Sequence, residues 1–178
     1  MMSVVEVIDN FLPSYHFKVL QSVMMGPDFE WYYNSQIIDI DKDNSTYNSN
    51  DYQFIHGFYS SPLISPSKGK EIKSDSFFLL DLILQKLDVK KLYRIKANLN
   101  PRTLFNVKTG YHVDESELDP HKTAVYYINT NNGGTQFKKG KKIKSLANTM
   151  VIFDSHLLHA GITCTDEKRR VMINFNYI

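Results

Sequence analysis

"RRVMINFNYI", residues 169–178, alternates strictly along its length. Val171, Ile173 and Phe175 fall on one side of an extended chain, and Arg170, Met172, Asn174 and Asn176 on the other. A period of two marks a strand, and its apolar set predicts a face packed against helices. The other set places an arginine on a face that looks into a cavity, where an arginine requires an anion.

Working outward, "LYRIKANLN" (92–100), "TAVYYIN" (123–129), "GTQFKKG" (134–140), "KKIKSLA" (141–147) and "TMVIFD" (149–154) read as further strands, punctuated by "NTNNGG" and "KGKK". Short strands joined by hairpins predict an antiparallel sandwich or barrel. Ahead of them, "VVEVIDNFL" (4–12) reads as strand and turn, and "FEWYYNSQIIDI" (29–40) as strand material. Pro13-Ser14 introduces a helix over "YHFKVLQSVMMG" (15–26), stopped by Gly26-Pro27. "DSFFLLDLILQKLDV" (75–89) has apolar residues at helical spacing behind a cap at Asp75 or Ser76. The polar stretch 41–51 and "SSPLISPSKG" (60–69) read as surface loops, the first a conceivable lid.

A chain of 178 residues that is 42% hydrophobic suits one domain, 1–178, around one core. With 21 Lys+Arg against 19 Asp+Glu, the formal charge of +2 gives no electrostatic case for nucleic acid or an anionic membrane as partner. Cys164 is the only cysteine, which rules out an intrachain disulfide and a cysteine-rich zinc site and suits a reducing compartment. The first residues lack a basic region followed by a long apolar run, and no stretch approaches membrane-spanning length. The expectation is a soluble, cytoplasmic protein.

"GYHVDESELD" (110–119) sets His112 and Asp114 two apart. On a strand, residues i and i+2 project from the same face with Cα atoms roughly 6.5 Å apart, so both can reach one ion. A third ligand must come from elsewhere, and His159 in "IFDSHLLHAGIT" follows an apolar strand that could hold it opposite the pair. Two histidines and a carboxylate on one side of an ion leave positions open, an arrangement suited to non-haem Fe(II) and O2. Zinc with water is the competing metal. His-x-Asp alone is a weak signal. It gains weight from Arg170, whose guanidinium can take a carboxylate through two parallel hydrogen bonds.

The order His112-x-Asp114, "TAVYYINTNNGGTQF", "MVIFDSHLLHAG" and "KRRVMINFNY" resembles the 2-oxoglutarate- and Fe(II)-dependent dioxygenases, in their prolyl 4-hydroxylase-like branch. Short phage and bacterial members have a similar layout; a phage-encoded member would work in the host cytoplasm. The resemblance implies a mainly β fold with flanking helices, the double-stranded β-helix or cupin-like jelly roll. It implies His112, Asp114 and His159 as iron ligands and Arg170 as the partner of the distal carboxylate of 2-oxoglutarate, with Arg169 as fallback. Tyr127 matches a position whose hydroxyl often supports that carboxylate, and Asn98 is a further cofactor-side candidate. The assembled site would be neutral, since iron with Asp114 carries one positive charge and the co-substrate dianion with Arg170 one negative. Because Asp114 is present, hydroxylation is favoured over halogenation.

The substrate is less legible. Glu115, Glu117 and Asp119 beside Asp114 make an acidic mouth that disfavours a polyanion, and the lysines of "KKGKK" (138–142) suit a solvated hairpin tip. A peptide, a prolyl residue or a small metabolite fits better. A cupin-like metal hydrolase or isomerase, or a non-catalytic β-sandwich binding module, would be the alternatives. His121 and His156 read as lying outside the triad, His16 and His56 as structural or solvent-facing, and Asp154 as a buttress of the turn before His159. Gly133 and Gly134 read as a hairpin needing positive φ.

Overall fold

The computed structural model describes residues 5–35, 52–64, 71–114 and 121–178. The expected lid at 41–51 and the acidic residues 115–119 lie outside the described residues. In chain order the elements are β1 (Glu6–Ile8), α1 (Ser14–Met24), β2 (Tyr32–Asn34), β3 (Gln53–Ser60), a 3-10 helix (Asp75–Leu80), α2 (Asp81–Lys86) and β4 (Leu92–Pro101). There follow β5 (Lys122–Tyr127), β6 (Gly134–Phe137), β7 (Lys142–Lys144), β8 (Thr149–Asp154), β9 (His159–Ile162) and β10 (Arg169–Tyr177).

Seven strands form an antiparallel sheet in the order β1-β8-β5-β10-β4-β3-β2, and three form a second in the order β7-β6-β9. The stretch 107–112 lies along the free edge of β9: Thr109 N–H donates to Gly161 O, His112 and His159 exchange backbone bonds at 2.9 and 3.0 Å, and Thr163 N–H donates to Val107 O. With that stretch the small sheet has four members facing β8-β5-β10-β4, and the chain winds back and forth between the two as a double-stranded β-helix.

The alternation of β10 behaves as the sequence predicts. Val171, Ile173 and Phe175 are fully buried in a core with Ile95, Ala97, Ala124, Tyr126 and Met150 from the neighbouring strands. Helix α1 seals this face with Phe17, Leu20 and Met24, spaced for one stripe, and Leu80 and Ile83 add to it. A second, smaller cluster of Val125, Tyr127, Phe137, Val151, Phe153 and Met172 fills the space between the sheets on the β5-β8 side. Where that cluster stops, at β10 and β4, the sheets leave a cavity.

Several local expectations change. The segment 75–89 is a 3-10 helix followed by one short α-helix, capped by Ser74, whose Oγ accepts from Ser76 N–H at 3.1 Å. Neither Asp75 nor Ser76 is the cap. Strand β7 covers only three residues of 141–147. Gly134 has the positive φ expected of the hairpin (158°), and close approach excludes a side chain as well, because a Cβ there would lie 2.1 Å from Ile143 O. Among the described residues no helix is long and apolar enough to cross a membrane.

Candidate metal centre

His112 is held by its backbone pairing with His159 across the edge of β9, so two ligands arrive on adjacent chains with ring centroids 4.5 Å apart. Asp114, two residues on, anchors its backbone N–H to Ser155 O and accepts at Oδ2 from Thr123 Oγ1 at 3.3 Å. Its Oδ1 lies 3.7 Å from His112 Nε2 and its Oδ2 4.0 Å from His159 Nε2. The three side chains offer ligand atoms within 4.8 Å of one another. Ligands about 2.1 Å from a common ion sit roughly 3 to 4.2 Å apart, so a small contraction completes the site.

Both imidazoles are preset for such a role. His112 Nδ1 faces Gly110 O at 3.2 Å and His159 Nδ1 faces Leu157 O at 2.9 Å. A ring that donates from Nδ1 to a carbonyl leaves Nε2 as a lone-pair donor aimed at the metal position. Burial alone would raise the Asp114 carboxyl, but His159, Arg94, His112 and Lys96 around it outweigh that and hold the group well below the ordinary carboxylate range. The carboxylate is therefore ionised and ready to ligate.

The triad opens on a cavity of about 90 Å³ between the sheets. Arg170 reaches it from the start of β10 and is only 2% exposed. Its guanidinium carbon lies 5.6 Å from the centre of the Tyr127 ring, and one terminal nitrogen donates to Asn100 Oδ1 at 3.4 Å. The Nε is buried without a hydrogen-bond partner, and no described carboxylate pairs with the group. Burial lowers the basicity of Arg170 from its ordinary value. Gly133 makes room for it: a Cβ there would meet Arg170 Cδ at 2.9 Å and Ile162 O at 2.6 Å. Arg169, the fallback anchor, instead donates to Met25 O outside the cavity.

Tyr127 is fully buried and lies beneath Arg170, its hydroxyl donating to Thr135 Oγ1 at 2.8 Å. Thr135 lines the cavity, so Tyr127 acts through its neighbours. Asn98 also lines the cavity, 6% exposed, with Oδ1 unpartnered. His156 is exposed, and His121 packs on Tyr93. Asp154 does not buttress the turn through its side chain, which pairs with Lys122 at 2.5 Å; its carbonyl accepts from Leu157 N–H. Sequence reading missed Arg94 and Lys96 on the cavity wall, although their alternation with Ile95 and Ala97 in "RIKA" was the available signal.

This winding is similar to the fold of solved 2-oxoglutarate/Fe(II) oxygenases, prolyl hydroxylases among them. A prolyl-4-hydroxylase from Pseudomonas putida superposes with a TM-score of 0.64 at 13% identity, over 99% of this chain and 93% of that one. The viral collagen prolyl hydroxylase of Paramecium Bursaria Chlorella virus-1, in complex with 2-oxoglutarate, gives 0.60 at 14% identity over 97% and 93%. The non-haem α-ketoglutarate-dependent epimerase SnoN of nogalamycin biosynthesis gives 0.62 at 9% identity over 99% and 78%. No family model and no curated protein matches the sequence.

Proposed function

We propose that the protein is an Fe(II)- and 2-oxoglutarate-dependent dioxygenase that hydroxylates a small molecule or a peptide residue and releases succinate and CO2. His112, Asp114 and His159 would hold the ferrous ion, and Arg170 the distal carboxylate of the co-substrate. When bound, iron and 2-oxoglutarate supply the oxidising power drawn from O2.

The observation that carries this reading is the buried guanidinium of Arg170, which has an unpartnered Nε and no described carboxylate against it, in the same cavity as the metal triad. A dianion bridging the two would satisfy both ends at once. Around it the chain has distinct tasks. Backbone carbonyls fix the imidazole tautomers, Thr123 and Asn176 steady Asp114, and Tyr127 and Asn100 orient the arginine. The aromatic cluster between the sheets keeps water from one side of the site. Hydroxylation rests on the complete triad.

The test is an anaerobic titration of the Fe(II)-loaded protein with 2-oxoglutarate, followed by the visible metal-to-ligand charge-transfer band. Arg170→Ala should weaken the co-substrate by roughly 30- to 4,000-fold, the range of about 2–5 kcal/mol for removing one partner of a buried charged pair. Absence of the band at verified iron occupancy would overturn the assignment in favour of a metal hydrolase or isomerase.

A further inference from the structure

One oxidisable side chain lines the cavity and has no part in the reaction as described. Of the six methionines in the sequence, Met24 and Met150 lie in the helix-side core and Met25 packs against it. Met172 alone among the described methionines faces the cavity of the metal triad, where it is 5% exposed. No other sulfur lines that space. The rest of the described lining consists of imidazole, amide, hydroxyl, cationic and aliphatic groups and the carboxylate of Asp114. A thioether gives up an electron pair more readily than any of these.

The register of β10 sets where Met172 stands. Along the cavity face the order is Arg170, Met172, Asn174 and Asn176, and Asn176 Nδ2 donates to Asp114 Oδ2 at 3.5 Å. Across the sheet Met172 is opposite Asn98 on β4 and Tyr127 on β5. The thioether therefore lies under the span that a ligand held at both Arg170 and the metal must cross, one strand repeat of roughly 6.5 Å from the arginine. Oxidation there changes the chemistry of that floor. A sulfoxide replaces an apolar thioether by a polar group whose oxygen accepts hydrogen bonds. Two residues along the same face, the buried Nε of Arg170 is a donor without a partner.

We propose that Met172 is a self-oxidation site: when O2 and 2-oxoglutarate are consumed with no substrate present, the Met172 sulfur takes the oxygen, and the sulfoxide pairs with Arg170 and closes the co-substrate site. The inference rests on the dioxygenase reading above and adds a brake to the same site. Atoms and electrons balance without a further reagent. One oxygen atom of O2 enters the new carboxylate of succinate as the C1–C2 bond of the keto acid breaks and CO2 leaves; the other forms the sulfur-oxygen bond. Keto acid and thioether each give up one electron pair, which together reduce O2 fully, and no proton is taken up or released. Because methionine sulfoxide is reducible by its own reductases, the brake is reversible.

The test incubates Fe(II)-loaded protein with 2-oxoglutarate and isotopically labelled O2, without substrate, and reads the peptides by mass spectrometry. A gain of one labelled oxygen should appear on the peptide that contains Met172 and be absent when 2-oxoglutarate is omitted. Met25, the better exposed methionine, is the internal control, since an oxidant released to solvent reaches it first. The oxidised protein, reloaded with Fe(II) under anaerobic conditions, should bind 2-oxoglutarate at least about tenfold more weakly in the charge-transfer titration, or roughly 1.4 kcal/mol. Treatment with a methionine sulfoxide reductase should restore the affinity. Met172→Gln, which sets an amide oxygen near the same place, should bind weakly without any exposure to O2. Met172→Leu, close to methionine in volume, should keep its affinity through the same incubation. Oxidation confined to Met25, oxidation independent of 2-oxoglutarate, or an oxidised protein that binds the co-substrate as tightly as before would overturn the inference. The anaerobic titration of untreated protein keeps two failures apart. If that protein does not bind 2-oxoglutarate, the dioxygenase reading falls and takes this inference with it. If it binds and Met172 stays unoxidised, this inference falls alone.

Discussion

The two faces of the β4-β10 pair are cut from the same ten or so residues, yet they obey opposite rules. Toward the helices lie Ile95, Ala97, Val171, Ile173 and Phe175, buried side chains that need only apolar neighbours. Toward the small sheet lie Arg94, Lys96, Asn98, Asn100, Arg170 and Asn174, polar groups held around a cavity. One face gains free energy from removing hydrocarbon from water. The other spends part of that gain on keeping charges out of bulk solvent, so that a ligand finds them already oriented. Stability and binding are thus separated by a single residue step along each strand.

Substitutions on either face can break this separation. The largest effect belongs to Phe175→Ala, which should cost about 3–5 kcal/mol in a urea melt. Metal affinity of the fraction that remains folded should persist. Asp114→Ala should do the reverse: Mn(II) affinity measured by calorimetry should fall roughly a hundredfold or more, because losing a ligand exceeds the loss of a supporting partner. Its circular dichroism spectrum should keep the strand signature. Gly133→Ala is the smallest change: its added methyl would meet Ile162 O, Asn131 Oδ1 and Arg170 Cδ, each under 3.0 Å, so the arginine and the β9 backbone must both give, while no ligand atom of the triad is touched. Affinity for 2-oxoglutarate in the charge-transfer titration should fall about tenfold, or roughly 1.4 kcal/mol, with Mn(II) binding retained. A matching loss of metal affinity would mean that the two ends of the cavity are not independent.

Much of this was legible in the sequence because periodicity is local. The alternation of β10 gave its own faces, and the spacing of His112 and Asp114 gave a chelate geometry that the structure completes with His159. What stayed hidden depends on distant parts of the chain. In "LYRIKANLN" the charged positions 94 and 96 look like an ordinary wet face, and only the small sheet folding over them makes that face a cavity wall. Strand β3 escaped notice because His56 occupies a core position, where Glu30 O and Ser74 Oγ satisfy both ring nitrogens. Arg169 and Arg170 are indistinguishable by composition; alternation separated them, and the bond from Arg169 to Met25 O agrees. The role of Gly133 could not be read at all, since it is set by an arginine 37 positions away meeting it through the fold.

The burial of Arg170, with no carboxylate against it among the described residues, has one more consequence, for the lifetime of the protein. A fold that carries a desolvated cation is less stable empty than filled, so a dianion seated on it would act as a folding ligand. At a concentration a hundred times its dissociation constant, a ligand that binds only the native state adds about 2.7 kcal/mol. Such a chain would be sheltered from proteases when 2-oxoglutarate is plentiful and culled when it is scarce, tying the amount of the protein to the carbon status of the cell that makes it.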